Sequence, residues 1–410
     1  MSARKGLLGA VSALVLGVMV QSALADVVKI GVLAPVTGKQ AADGEDMVRG
    51  AKLAVEDLNK AGGVNGDTFE VVVGDIGDAS ADAVATAAER LLGDKAVGAI
   101  VTGYASTTNF EIEMMAEQEM VYLIAGNSAQ TAGIISPNPE NFGTVWSLTP
   151  SYDGYNTEIV PAIDKLVADG QLKLPNKKVA MIASDNPYSK GIAEGMTKAF
   201  EAAGWQITQN DLLPFGEIND WRAFLAKVHQ DPPALLINTD YVSANAATFM
   251  TQFMENPTNS LVFIQYAPSV PEFLTLTKEK SSGVVYNLLG GVLPREASPR
   301  ADELLKKYEA AYGNEPGSYG IMLYEEVMIY ADALKTVGDP AKRAEIGAAI
   351  GKTDKVTAVG RVMFDPKTHL SVQDNDHVPI QFYQILDGKR IMFYPPQYKT
   401  GDFKQPSWMK

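Results

Sequence analysis

From Val27 to Leu33 the chain reads VVKIGVL, a β-branched apolar run stopped by Ala34-Pro35, and this pattern predicts a buried strand. A loop rich in Gly and Asp follows, from Thr37 to Asp46. Val48, Ala51, Leu53, Ala54, Val55 and Leu58 then recur on one helical face until Ala61-Gly62-Gly63 ends the periodicity. The same strand, loop, helix and stop recur downstream. Phe69–Val73, Val97–Val101 and Val121–Ile124 read as strands, and Ala81–Leu92 and Thr108–Gln118 as helices. After Trp146–Pro150 the alternation restarts. Helices are expected at Glu158–Asp169, Ile192–Ala203, Asp220–Val228 and Ala244–Glu255, and strands at Lys178–Ile182, Gln206–Leu213, Ala234–Ile237 and Leu261–Ile264. Strands alternating with helices of this length imply parallel sheets covered on both faces. Two such series predict an α/β protein with two doubly wound parallel-sheet lobes.

The C-terminal third is not a third series. Val284–Leu289, Arg361–Phe364 and Ile380–Leu386 read as strands, and Pro299–Ala311 and Leu323–Thr336 as helices, which suit pieces returned to the two lobes. The expected division is residues 26–148 plus 290–373 for lobe 1, and 149–289 plus 374–410 for lobe 2. Repeated crossings make a hinge of limited torsion, which favours closure of two stiff bodies.

Residues 1–25 carry Arg4 and Lys5, an uncharged stretch from Gly6 to Val20, and Ala23-Leu24-Ala25, the pattern of a cleaved secretory signal peptide. Removing them leaves 410 − 25 = 385 residues, more than one core of about 250–300 residues accommodates. The net charge of −14 becomes −16 without Arg4 and Lys5. No cluster of Lys and Arg offers a nucleic acid its phosphate contacts. Cysteine is absent, so thiol chemistry, Cys-type zinc sites and a lipidated N-terminal cysteine are excluded. A freely diffusing periplasmic protein, expected to be a monomer without metal or cofactor, is the reading.

VVKIGVLAPVTG with GEDMVRGAKLAVEDLNKAGGVNG, then GYASTTN, NPYSKGIAEGM and VTAVGRVMFDPKTHL, stand in order along the chain. Together they resemble the type I periplasmic solute-binding proteins for branched-chain amino acids, from Asp26 to about Leu386. The resemblance implies the receptor of an ATP-driven importer, with a membrane permease and a small-molecule solute as partners.

Strand ends locate the site, because ligands of open parallel sheets bind beyond the carboxyl ends of strands, where helix N-termini offer unpaired N–H groups. Gly103 to Thr108 follows one such strand. Tyr104 and Ala105 belong to this loop, and Ser106 and Thr107 offer hydroxyls. The resemblance implies that Ser106 helps hold a carboxylate, and that Asn127 and Ser128, after the next strand, add contacts. Tyr188 and Tyr241 follow strands of lobe 2 and are expected to cover the solute. Tyr152 and Tyr319 are further candidates. The family presents a glutamate where this chain has Gln265 and Tyr266. A buried ammonium needs an anionic partner. Asp240 is preferred to Asp43 for that role, unless the solute has no ammonium.

Catalytic equipment is missing. His229, His369 and His377 are scattered, neither G-x-S-x-G nor G-x-x-x-x-G-K-[ST] occurs, and Glu325-Glu326 reads as solvated helix charge. A transporter receptor, a periplasmic sensor of an amide-like or other solute and a hydrolase on a related fold remain open in that order. The solute classes expected are an aliphatic amino acid, another small carboxylate, or a neutral amide.

Overall fold

A computed structural model describes residues 27–126 and 128–410. The expected signal peptide and Asn127 lie outside the described residues. The first sheet contains β1 (Val27–Ala34), β2 (Thr68–Asp75), β3 (Val97–Thr102), β4 (Val121–Ile124) and β5 (Val145–Ser147). They are ordered β2-β1-β3-β4-β5, all parallel. β3 and β4 are buried at every residue, as strands covered on both faces must be, and their sequences VGAIVT and VYLI are correspondingly almost wholly apolar.

The second sheet takes β6 (Lys178–Ser184), β7 (Gln206–Leu213), β8 (Leu235–Asn238), β9 (Leu261–Ile264) and β10 (Val285–Leu289). β11 (Asp354–Thr357) and β12 (Gly360–Met363) form a separate hairpin, and β13 (Ile380–Leu386) and β14 (Lys389–Tyr394) join the second sheet. Its order is β14-β13-β10-β9-β8-β6-β7. β13 and β14 run antiparallel, so this sheet is mixed where a purely parallel one is expected from the alternation. The β13–β14 pairing has a local cause: Asp387 and Gly388 both have positive φ, the two-residue turn that matches the twist of an antiparallel hairpin, whereas β13 reaches β10 antiparallel through the long returning segment.

Helices α1 (Ala41–Lys60), α2 (Ala81–Leu92), α3 (Glu111–Glu117), α4 (Ser128–Ile135), α5 (Gly154–Ala168) and α6 (Pro187–Ala202) connect the strands of the first half. In the second half come α7 (Arg222–Gln230), α8 (Ser243–Phe253), α9 (Pro271–Thr277), α10 (Pro299–Tyr312), α11 (Gly320–Val337) and α12 (Arg343–Ile350). None of the helices among the described residues is long and apolar enough to cross a membrane. One apolar core unites residues between Val28 and Leu148 with others between Leu293 and Val378. Two further cores cover the faces of the second sheet and draw on residues from Tyr152 to Leu289 and from Ile380 to Met409. The chain therefore passes between the bodies near residues 150, 291 and 379.

The returning segment is held by Asp46 of α1. Its buried carboxylate accepts the Tyr308 hydroxyl at 2.7 Å and the backbone N–H groups of Gly317, Tyr319 and Gly320 at 2.9, 3.0 and 2.6 Å. An acidic group at the start of α11 also suits that helix's dipole. A Cβ at Gly50 would stand 1.7 Å from the Gly320 carbonyl oxygen, so α1 and α11 touch backbone to backbone only because glycine occupies that position.

Glu325 and Glu326 are not solvated. Both are fully buried in α11. Glu325 accepts from Arg300 Nε and from the Ala358 N–H, each at 3.0 Å. Burial pushes the Glu326 carboxyl well above the usual carboxylate range, and the Thr102 backbone opposes that rise. The apolar stripe of α11 covers most of its circumference, which leaves these acids no wet face.

Asp46→Ala orphans four donors at once and is expected to lower stability by at least about 3 kcal/mol, since hydrogen bonds to a charged group contribute roughly 1.5–3 kcal/mol each. Urea denaturation measures this, and an unchanged midpoint would show that the returning segment is held by other contacts.

Candidate functional site

Between the two bodies lies a cavity with about 860 Å³ of unfilled space, its open mouth included. Its walls come from strand ends and helix starts of both. From the first body come the loop after β3 with Tyr104, Ala105 and Thr107, the loop after β4 with Ala125, Gly126 and Ser128, and Thr149 beyond β5. A Cβ at Gly126 would lie 2.5 Å from the Gly103 carbonyl oxygen, so the two loops approach closely because this residue has none. Ser318, Tyr319 and Met322 enter from the start of α11. The second body contributes Asn186, Tyr188, Tyr241, Tyr266, Leu288 and Leu289.

Seven lining residues are tyrosines: Tyr104, Tyr152, Tyr155, Tyr188, Tyr241, Tyr266 and Tyr319. Tyr104 meets Tyr319 edge-on at 5.4 Å between ring centroids, and Tyr266 stands 6.1 Å from Tyr319. Tyr152, Tyr188 and Tyr241 form a second run with T-shaped contacts of 5.1 and 5.7 Å. Such edge-to-face contacts follow from the ring quadrupole. Tyr266 has φ +60° and ψ −56°, a costly conformation for a bulky residue, and this strain accompanies the entry of its side chain into the cavity at the end of β9.

Contacts between side chains join the bodies across the cleft. Gln40 Nε2 donates to the Tyr241 hydroxyl at 3.3 Å, the Tyr266 hydroxyl donates to Asp43 at 3.4 Å, and the hydroxyls of Ser269 and Ser318 are 2.6 Å apart. At the rim Lys39 pairs with Glu217 at 3.4 Å.

Of the site residues expected from sequence, Tyr104, Ala105, Ser128, Tyr152, Tyr188, Tyr241, Tyr266 and Tyr319 are brought together on this cavity. Two are not. The Ser106 hydroxyl and N–H both point to the carboxylate of Glu111 at the start of α3, the N–H at 3.3 Å. Glu111 is fully buried, and burial raises its carboxyl pKa, so it draws in the nearest donors. Thr107 faces the cavity in place of Ser106. Asp240 is also turned inward, accepting from Val242 N–H at 3.0 Å and Asn245 Nδ2 at 2.7 Å, and is absent from the cavity wall. Its carboxyl is raised to about 6 by burial.

Asp43 is the acid at the cleft, contrary to the preference for Asp240. It sits one layer behind the lining and accepts from Tyr104 at 3.1 Å as well as from Tyr266. Burial pushes its carboxyl up to about 7, with Asp46 and Glu272 adding repulsion and the two tyrosine hydroxyls opposing the rise. Among the described lining residues none is Lys, Arg, His, Asp or Glu.

Sequence reasoning missed Gln40, Thr149 and Tyr155. Tyr155 lies in the first turn of α5, just beyond the crossing loop that carries Tyr152, and its nearness to that candidate could have revealed it. Gln40 and Thr149 carry no distinctive local signal. Elsewhere, His369 stacks on Trp146 at 4.0 Å and bonds the Val145 carbonyl, and His377 pairs with Asp374. No group of three or more potential ligands for a metal ion occurs among the described residues.

A family model described as periplasmic binding protein matches residues 27–389. An amino acid binding protein of Pseudomonas aeruginosa is 29% identical over 90% of this chain and 94% of its own length. A leucine-, isoleucine-, valine-, threonine- and alanine-binding protein of the same species is 25% identical over 85% of this chain and 88% of its own. A crystal structure from Silicibacter pomeroyi, described as of a branched-chain amino acid ABC transporter, shares 27% identity and a TM-score of 0.84, covering 94% of this chain and 100% of that one.

Because the folded Asp43 carboxyl holds its proton to about pH 7 and the ordinary one only to 3.8, the native state binds more protons between those values. Its contribution is therefore fully present below about pH 4 and is lost as pH rises towards 7. Asp43→Asn should gain stability relative to the parent across this window. Thermal unfolding at pH 4 and pH 7.5 reads the difference, and equal shifts at both would contradict the raised value.

Proposed function

Because this chain belongs to the periplasmic binding protein family, we propose that it is the receptor of an ATP-driven importer and takes up a small amino acid or related carboxylate by closure of its two lobes. The observation that carries this reading is a single cavity lined from both bodies and bridged by Gln40–Tyr241, Asp43–Tyr266 and Ser269–Ser318. Export by residues 1–25 and delivery to a membrane permease in the periplasm are part of the proposal.

The lobe 1 wall is suited to dock the carboxylate. The Thr107 hydroxyl, the Gly126 N–H and the start of α4 at Ser128 stand at adjacent strand ends, where backbone dipoles favour an anion. Ser128 Oγ accepts from the Tyr152 N–H at 2.9 Å and so retains its own proton to offer. Tyr188, Tyr241 and Tyr266 then cover the solute from lobe 2 and exclude water. Interactions made only in the closed form bias the open–closed equilibrium, so closure tracks occupancy and gives a permease a shape to recognise.

The lining supplies no acid, base or nucleophile paired with another, which favours capture over turnover. Titration calorimetry with L-leucine, L-isoleucine, L-valine and the matching carboxylic acids should find a saturable solute that binds 1:1 and is recovered unaltered. Product formation would overturn the receptor assignment. Thr107→Val should weaken that solute by about 1–2 kcal/mol, with the parent's melting temperature retained. An unchanged affinity would remove Thr107 from the carboxylate wall.

A further inference from the structure

One carboxylate reaches the cavity through two of its phenols, and on the premise of the receptor reading just given this bears on the cationic end of the solute. Tyr104 donates its hydroxyl to Asp43 Oδ2 at 3.1 Å, and Tyr266 donates to the same oxygen at 3.4 Å. Both rings line the cavity, the first from lobe 1 and the second from lobe 2. A phenol has one proton and two acceptor lone pairs. With its proton committed to Asp43, each phenolic oxygen keeps lone pairs for an N–H donor in the cavity. Because they share one carboxylate oxygen, the two hydroxyls are held near each other. Ser318, whose hydroxyl bears on Tyr266, lines the same cavity and supplies a third oxygen.

The partners of the nearby acids separate Asp43 from the rest. Asp46 is occupied by the Tyr308 hydroxyl and three backbone N–H groups. Asp240 accepts from Val242 N–H and Asn245 Nδ2 inside its own lobe. The Asp43 carboxylate, by contrast, accepts from one lining phenol of each lobe. Its charge is also unbalanced within the protein. Asp46 and Glu272, the charged groups that weigh most on it, are themselves acids, and Lys39 at the rim pairs with Glu217 at 3.4 Å. An uncompensated charge in a cleft is costly, and a cation placed against the two phenols offsets that cost.

We propose that Tyr104, Tyr266 and Asp43 form an ammonium subsite: the solute's primary ammonium donates to the two phenolic oxygens and to Ser318 Oγ, and the Asp43 carboxylate, which polarises both phenols, is its counter-charge at one remove. The three N–H groups of the ammonium thus meet three acceptors. Asp43 becomes the residue that distinguishes an amino acid from the carboxylate of the same carbon skeleton. Since one phenol comes from each lobe, the subsite is complete only when the lobes meet, and the ammonium itself favours closure.

The test is calorimetric titration at pH 7.5 of the purified protein and of Asp43→Asn with L-leucine, L-isoleucine, L-valine and the carboxylates of the same skeletons that lack the amino group. Asparagine keeps an acceptor for both phenols and removes the charge. In at least one pair the amino acid should bind at least ~10-fold tighter than its carboxylate, and Asp43→Asn should weaken that amino acid by at least ~10-fold, the scale of one hydrogen bond to a charged group. Near-ultraviolet circular dichroism, which reports tyrosine packing, should be the same for both proteins. A smaller advantage of the amino acids overturns the inference and leaves the receptor reading standing. So does a smaller loss in Asp43→Asn, or a loss accompanied by an altered spectrum, which would assign Asp43 to ring placement. If no member of the panel binds, both fail.

Discussion

Four donors converge on the Asp46 carboxylate, three of them backbone N–H groups at the start of α11. This contact couples the first helix of the chain to a segment more than 270 residues later. Through it the cleft acquires its third side, because Ser318, Tyr319 and Met322 sit at the end that Asp46 caps. The same helix start passes close to Gly50, where a Cβ would meet the Gly320 carbonyl oxygen. Desolvation raises the Asp46 pKa, and the convergent hydrogen bonds oppose that rise. A buried carboxylate is tolerable where its lone pairs are satisfied so fully.

A second layer of acids extends the same arrangement towards the solute. Asp43, one turn before Asp46 on α1, receives hydroxyls from Tyr104 of the first body and Tyr266 of the second. One carboxylate therefore orients rings on both sides of the cleft, and the strain in the Tyr266 backbone is offset by contacts that exist only when the bodies meet. Closure and ring placement are thus coupled through a group that the solute need not touch.

The division of labour between the two walls follows from element type. Lobe 1 meets the cavity with strand-end loops that carry small residues and hydroxyls, so backbone dipoles are near at hand, and with the rings of Tyr104 and Tyr319. The second body meets it with bulky phenols that bring area and exclude water.

Much of this was legible beforehand. The apolar runs of β3, β4, β8 and β9 announce strands buried on both faces, and their ends locate the cavity, because the geometry of a parallel sheet leaves its ligands no other place. Tyr188 and Tyr241 follow from that rule, and Tyr266 from the resemblance, as the residue standing where the family presents a glutamate. Ser106 and Asp240 met the same rule and yet turn away, because the buried carboxylate of Glu111 and the amide of Asn245 are partners that no local pattern reveals. Glu325 and Glu326 looked wet, since a helix with acids on it reads as amphipathic until a third layer covers them.

Sequence by itself determined the periodicities, the two-lobed α/β plan, the absence of thiol chemistry and the loops that could bear a site, since these depend on residue type and near neighbours. Tertiary structure alone decided which hydroxyls face the cavity, that Asp43 rather than Asp240 stands behind it, and that Tyr155 and Gln40 belong to it. Those outcomes depend on competition among partners tens or hundreds of residues apart, and a buried polar group goes to whichever partner satisfies it.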